Sequence, residues 1–289
     1  MTRPSPSAVT GVLLALTAAW AVTAAPADAA PAAPHDTLAA AQKVSVPAYF
    51  APGALWNRLG QGAGTVGLAV ANPDSGPGAG DAQYTSAITA AHNAGVTVIG
   101  YVRTGYFGST GITTKSGSTD PAEWMRQIKS EVDTWYRLYG SAGLGGIFFD
   151  EGQNDCGPGN ANVNRYTELR SYVESRHGAS SVVVDNPGTG AAQCYTAAAD
   201  TLVTFEGSAA TYRTFQPQAW EAGASPDKIW HLVYESPDET SLRSTMALAR
   251  QRNAGHVYVT PDTLAGNPWD SLPPESYWNT DLSLARSAG

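Results

Sequence analysis

The sequence predicts an α/β fold, a single (β/α)8 TIM-type barrel around a parallel eight-stranded sheet. Three observations point there. Eight short runs rich in β-branched and aromatic residues are separated by stretches with helical spacing. Most of these runs are continuously apolar, as strands covered on both faces must be. Polar residues punctuate their C-terminal ends at Tyr49, Asn72, Tyr101, Asp150-Glu151, Asn186, Glu206 and Tyr234, and in a closed parallel barrel those ends meet at one mouth. An open doubly wound sheet shares the alternation and is the competing arrangement.

In chain order, the predicted strands are 44–50, 65–72, 96–102, 146–151, 181–186, 202–206, 228–234 and 256–260. Three intervening helices carry explicit signals. Asp120-Pro121-Ala122-Glu123 reads as a capping box with Pro at the first helical position, and Met125, Ile128, Val132, Trp135 and Tyr139 follow at spacings of three and four. Tyr166, Leu169 and Val173 mark a second helical face that ends near Gly178. A third starts at Ser236-Pro237-Asp238-Glu239, presents Leu242, Thr245, Met246 and Ala249 on one side, and has Gly255 beyond its end.

The 289 residues are 43% hydrophobic and 15% charged, a globular composition large enough to bury a core without a metal or a disulfide framework. Lys and Arg number 17 against 25 Asp and Glu, a net charge of −8 with no basic block, which argues against a nucleic-acid partner. Residues 1–29 read as a secretory signal, with Arg3, an apolar run over 9–22 and the A-x-A sequence Ala27-Asp28-Ala29. Residues 30–43, rich in Ala and Pro, read as a disordered lead-in, and 44–289 as the barrel. An extracellular protein with no membrane span after cleavage is expected, and a monomer. Two cysteines in an exported chain, Cys156 and Cys194, are expected to pair and to tie the loops after the fourth and fifth strands.

The chemistry concentrates in carboxylates. The run Gly146-Ile147-Phe148-Phe149 ends in Asp150-Glu151, and acids closing a buried strand are costly unless used or paired. Side chains alternate along a strand, so only one of the two should face the axis unless the tip turns, as Gly152 permits; the other could cap a helix or pair with an arginine. Leu202-Val203-Thr204-Phe205 ends in Glu206, a second acid at the same level two strands on. Two carboxyls facing one another are what glycoside hydrolysis requires, one as proton donor and one as nucleophile, stabiliser or base.

Tyr49, Tyr101, Tyr106, Tyr234 and Trp269 sit at or beyond strand ends, where flat rings with a polar handle can stack on pyranose faces. Asn72 and Asn186 either hydrogen-bond sugar substituents or shape their turns. Gly62-Ala63-Gly64-Thr65-Val66-Gly67 fits G-x-G-x-x-G but precedes a strand, so it is a turn. The five histidines have no zinc spacing, His231 reads as a satisfied core residue, and neither a nucleophile elbow nor a P-loop occurs, so no metal and no cofactor is expected.

Val46-Pro47-Ala48-Tyr49-Phe50, Asn72-Pro73-Asp74-Ser75-Gly76-Pro77-Gly78, Gly100-Tyr101-Val102-Arg103-Thr104-Gly105-Tyr106, Gly146-Ile147-Phe148-Phe149-Asp150-Glu151, Asn186-Pro187-Gly188 and Thr204-Phe205-Glu206 together resemble the spherulin-4-like proteins, the group that includes glycoside hydrolase family 135. The motifs span roughly residues 44–260 in the family's order. The resemblance implies a (β/α)8 barrel that hydrolyses α-1,4-linked N-acetylgalactosamine internally in galactosamine-containing exopolysaccharide. It also implies catalytic roles for Asp150, Glu151 and Glu206; sequence leaves the proton donor open, and the order favoured here has Glu206 as nucleophile or stabiliser and the Asp150-Glu151 pair supplying the general acid. Asp185 departs from the pattern, which has an apolar residue before Asn-Pro-Gly. A non-catalytic cell-surface polysaccharide-binding protein is the alternative on the same barrel. A third reading keeps the chemistry and changes the glycan, to another amino sugar or a peptidoglycan strand.

Overall fold

In the computed structural model, which describes residues 41–287, the eight apolar runs are eight parallel strands. They are β1 (Lys43–Ala48), β2 (Val66–Ala71), β3 (Thr97–Arg103), β4 (Leu144–Asp150), β5 (Val182–Asp185), β6 (Thr201–Ser208), β7 (Ile229–Tyr234) and β8 (His256–Val259). Each pairs with its neighbour in sequence, and β1 closes the ring on β8 through Lys43↔His256 and Val44↔Val257. That pairing excludes the open sheet. The expected leader and most of the expected lead-in lie outside the described residues, but the last lead-in residues belong to the barrel. Gln42 is buried and donates from Nε2 to the Ala254 carbonyl, and β1 begins at Lys43.

The helices are α1 (Ala54–Gln61), α2 (Ala82–Ala94), α3 (Pro121–Tyr139), α4 (Ala161–His177), α5 (Ala209–Tyr212), α6 (Glu239–Gln251) and α7 (Glu275–Arg286). The repeat weakens after two strands. The connection after β5 holds only a 3-10 turn, Gln193–Ala197, and that after β6 the single-turn α5 followed by further 3-10 turns. Pro187, Gly188 and Gly190 crowd the first of these segments and disfavour helix propagation. A disulfide between Cys156 and Cys194 fastens that segment to the loop after β4, as expected.

α3 shows how the outer layer is seated. Asp120 Oδ1 accepts from the backbone N–H groups of Ala122 and Glu123, but the expected box is only half formed. Glu123 turns to Arg126, and the Asp120 N–H donates to Ser118 Oγ instead. Along the helix, Trp124, Ile128, Val132, Trp135 and Tyr139 are buried. Trp135 lies where a side chain on Gly100 of β3 would sit, and its indole donates to the Tyr101 carbonyl at 2.7 Å. Glycine at 100 therefore lets the helix approach the sheet.

Inside the ring the floor is aromatic and polar. Phe148 and Trp230 meet edge to face, and Ser45 Oγ lies 2.7 Å from His256 Nδ1. Above this floor the strand tips converge.

Candidate active site

Asp150 ends β4 on the axial face, two residues beyond the core residue Phe148. The next residue leaves the strand. Glu151 adopts φ 55°, a left-handed conformation costly for a non-glycine residue, and neighbouring groups hold it there. The backbone N–H groups of Thr104 and Tyr106 donate to the carbonyls of Asp150 and Glu151, and Thr104 Oγ1 lies 2.8 Å from both oxygens. The turn thus occurs at Glu151 and not at Gly152. Gly152 instead allows a close approach: its N–H donates to the Asn186 carbonyl at 2.8 Å, and a Cβ would lie a tight 3.1 Å from that oxygen. Turned this way, Glu151 takes the arginine-paired option, its Oε2 lying 2.6 Å from Arg103 Nε.

Asn186, at the tip of β5, joins two acids. Its Nδ2 donates to Asp150 Oδ1 at 2.8 Å and to Glu206 Oε2 at 3.0 Å, while its Oδ1 accepts from the Gly188 N–H. It therefore shapes its turn, and its amide is engaged by two carboxyls, a role the sequence did not suggest. The second oxygen of Asp150 accepts from the Tyr101 hydroxyl at 2.7 Å. Burial, then the neighbouring charge of Glu206, pushes the Asp150 carboxyl up to about 7, against the opposing Tyr101 hydrogen bond. Burial also raises Glu206, opposed by the hydrogen bond from Asn186. Two buried carboxyls sharing one amide donor do not both ionise readily, so near neutral pH the pair keeps a proton.

The acids floor a cleft of about 340 Å³ whose walls include Tyr106, Pro187, Tyr234 and Leu264. Leu264 is 61% exposed and stands at the rim. Tyr234 meets Trp269 edge to face.

The remaining candidates are placed as follows. Tyr101 is buried and donates to Asp150, and Tyr49 packs against it edge to face at 5.5 Å, where burial and then the charge of Asp150 raise its hydroxyl. Asn72 accepts the Gly76 N–H at 2.9 Å, which is the turn-shaping role, and it is absent from the cleft lining. His231 is fully buried and hydrogen-bonded. Asp185 points outward between the sheet and the helices, near Tyr166 and Tyr195. Burial, opposed by Arg170 and Lys228, holds its carboxyl well above the usual range, and its outward position keeps it out of the mouth. Among the described residues, no group of three or more His, Cys, Asp or Glu could hold a metal ion, and no helix is long and apolar enough to cross a membrane.

Sequence reasoning gave no role to Arg103, Thr104 or Leu264. Arg103 lies beside Asp150 in the β3–β4 register, a relation that appears only once strands are paired. Leu264 sits in a loop whose sequence carries no periodicity.

Comparison with known proteins finds relatives of the chain. A family model described as spherulation-specific family 4 matches residues 43–284. Spherulin-4 of Physarum polycephalum is 31% identical over 168 residues, which cover 57% of this chain and 44% of that protein; the match thus spans less than half of the relative's length. Among solved structures, Aspergillus clavatus Sph3 in complex with GalNAc superposes with a TM-score of 0.70 at 22% identity, covering 86% of this chain and 99% of that one. The chitinase RmChi1 of Rhizomucor miehei gives 0.52 at 15% identity, covering 85% and 99%, and a chitinase of Chromobacterium violaceum gives 0.53 at 12%, covering 86% and 100%. At these identities the structural likeness is one of fold.

Proposed function

The chain belongs to spherulation-specific family 4, the spherulin-4 family, and from that premise we propose that it is a secreted, endo-acting glycoside hydrolase. Its substrate in this reading is α-1,4-linked N-acetylgalactosamine in galactosamine-containing exopolysaccharide. The observation that carries the reading is the single Asn186 amide donating to both Asp150 and Glu206 at the foot of an open cleft. The GalNAc bound in the Sph3 crystal structure supports an amino-sugar ligand. The disulfide supports export, because such bridges persist in oxidising compartments, and residues 1–29 remain the proposed leader.

In this mechanism Asp150, which keeps its proton to about pH 7, protonates the departing glycosidic oxygen. Glu206, raised by burial and held by the Asn186 amide, attacks or stabilises the anomeric carbon once ionised. Glu151, paired with Arg103, supplies the third acid of the mouth. One donor nitrogen reaching both carboxyls favours the short separation of retaining enzymes, about 5 Å, over the roughly 6.5–9.5 Å of inverting ones.

The test compares the wild type with Glu206→Gln on α-1,4-linked N-acetylgalactosamine oligomers, following new reducing ends and the anomer first released. Wild-type fragments with retained configuration, lost on the order of 10³-fold in the variant while oligosaccharide binding persists, are expected. Azide rescue of Glu206→Ala but not of Asp150→Ala supports the role assignment, and the opposite pattern reverses it. Binding without fragments from either protein points to the non-catalytic polysaccharide-binding reading.

A further inference from the structure

The acid at the end of β6 faces the axis because of an irregularity in that strand. Pairing with β7 runs Leu202↔Ile229 and Val203↔Trp230, then resumes at Phe205↔His231 and Glu206↔Leu232. One residue of β6, Thr204, has no counterpart, the signature of a β-bulge. Trp230 packs on Phe148 inside the ring, so Val203 faces inward with it. Phe205 packs on Tyr212, Phe215 and His231 in the outer layer. Strict alternation from Val203 would turn Phe205 inward and Glu206 outward. The extra residue reverses this.

A buried hydrogen-bond chain grips the extra residue. Thr204, Tyr212, Glu221 and His231 are each 0% exposed. Tyr212 Oη lies 2.7 Å from His231 Nδ1, His231 Nε2 lies 3.2 Å from Thr204 Oγ1, and Thr204 Oγ1 donates to Glu221 Oε2 at 2.9 Å. The other Glu221 oxygen accepts the Gln218 N–H, and Asn253 donates to the Glu221 carbonyl. Proton bookkeeping gives the chain one direction. With Glu221 as the carboxylate, the single Thr204 proton goes to it, so His231 Nε2 donates to Thr204 Oγ1 and His231 Nδ1 accepts from Tyr212. Burial keeps the imidazole neutral, as this order requires.

We propose that this chain locks the β6 bulge and thereby aims Glu206 into the cleft, making Thr204 and His231 positioning residues for a carboxylate they do not touch. The proposal rests on the reading of Glu206 as a reacting group. It assigns a purpose to a histidine and a buried glutamate that the chemistry itself does not use.

Thr204→Val keeps the shape and removes both hydrogen bonds; Thr204→Ser keeps them. The expected result is that Thr204→Val lowers kcat on the oligomers about 10²-fold with KM within about threefold, and that Thr204→Ser restores turnover. A crystal structure of Thr204→Val should show Glu206 withdrawn from Asn186. A variant that keeps both the Asn186–Glu206 contact and kcat overturns the proposal. In the wild type, ¹⁵N shifts of His231 should report the Nε2–H tautomer, and the Nδ1–H tautomer overturns the chain without recourse to any variant. Tyr212→Phe, which removes only the far link, should shift those signals and lower kcat less. Absence of hydrolysis by the wild type would refute the enzymatic reading alone, because the crystal contact and the tautomer still decide the positioning.

Discussion

Asp150 accepts a hydrogen bond on each oxygen, from Tyr101 and from Asn186, yet its carboxyl is pushed up to about 7 because burial and the Glu206 charge outweigh those donors. If Asp150 acts as the acid, turnover is present while it is protonated and falls as pH rises through about 7. The acid limb lies where Glu206 gains its proton, above the usual glutamate range. Tyr101→Phe removes a donor that favours the Asp150 anion, so the alkaline limb should move to higher pH; a kcat–pH profile of the two proteins checks the sign. The positions of the acids, and of Tyr106 and Tyr234 beside them, were legible in the sequence because polar residues at the ends of apolar runs stand out. Tyr101's hydrogen bond to Asp150 was not, since a tyrosine at that strand end reads the same with or without it. Asp185 was legible only as a departure from pattern. Its outward burial is a matter of which face of β5 it occupies.

At the scale of elements, the strands were readable to within a few residues, because a parallel strand buried on both faces is written as a local apolar run. The helices were uneven. α3, α4 and α6 announce themselves by spacing or caps, whereas α1 has eight residues and begins at Gly53 without a side-chain cap, and α2 is built largely from Ala, Thr and Ser. The segments after β5 and β6 have almost no helix, so side-chain ties replace it there. The Cys156–Cys194 bridge closes a separation of 38 residues between the loop after Asp150-Glu151 and the turn after Asn186. Replacing both cysteines with serine should cost about 3 kcal/mol of stability, measured by denaturant unfolding. The Tyr195 hydroxyl, which donates to the Asp155 carbonyl, holds the same two segments together.

For the molecule as a whole, closure sets what the mouth contains. Each strand tip is a local event, but Arg103 reaches Glu151, and Asn186 reaches both Asp150 and Glu206, only because β3 through β6 are adjacent in the ring. Closure also demands that the helices sit close. Gly100→Ala places a methyl group in the Trp135 ring and should destabilise the barrel by roughly 1–3 kcal/mol, read as a lowered Tm with the parallel-barrel circular dichroism retained below it. The sequence by itself determined the strand count, the parallel α/β class, the pairing of its two cysteines and the three acids at the mouth, since each is encoded in local periodicity, composition or motif. Tertiary structure alone decided that Glu151 turns to Arg103, that one amide couples Asp150 to Glu206, and that an unpaired Thr204 points Glu206 inward. Those outcomes depend on strand register and on contacts between residues far apart in the chain, which local sequence pattern does not encode.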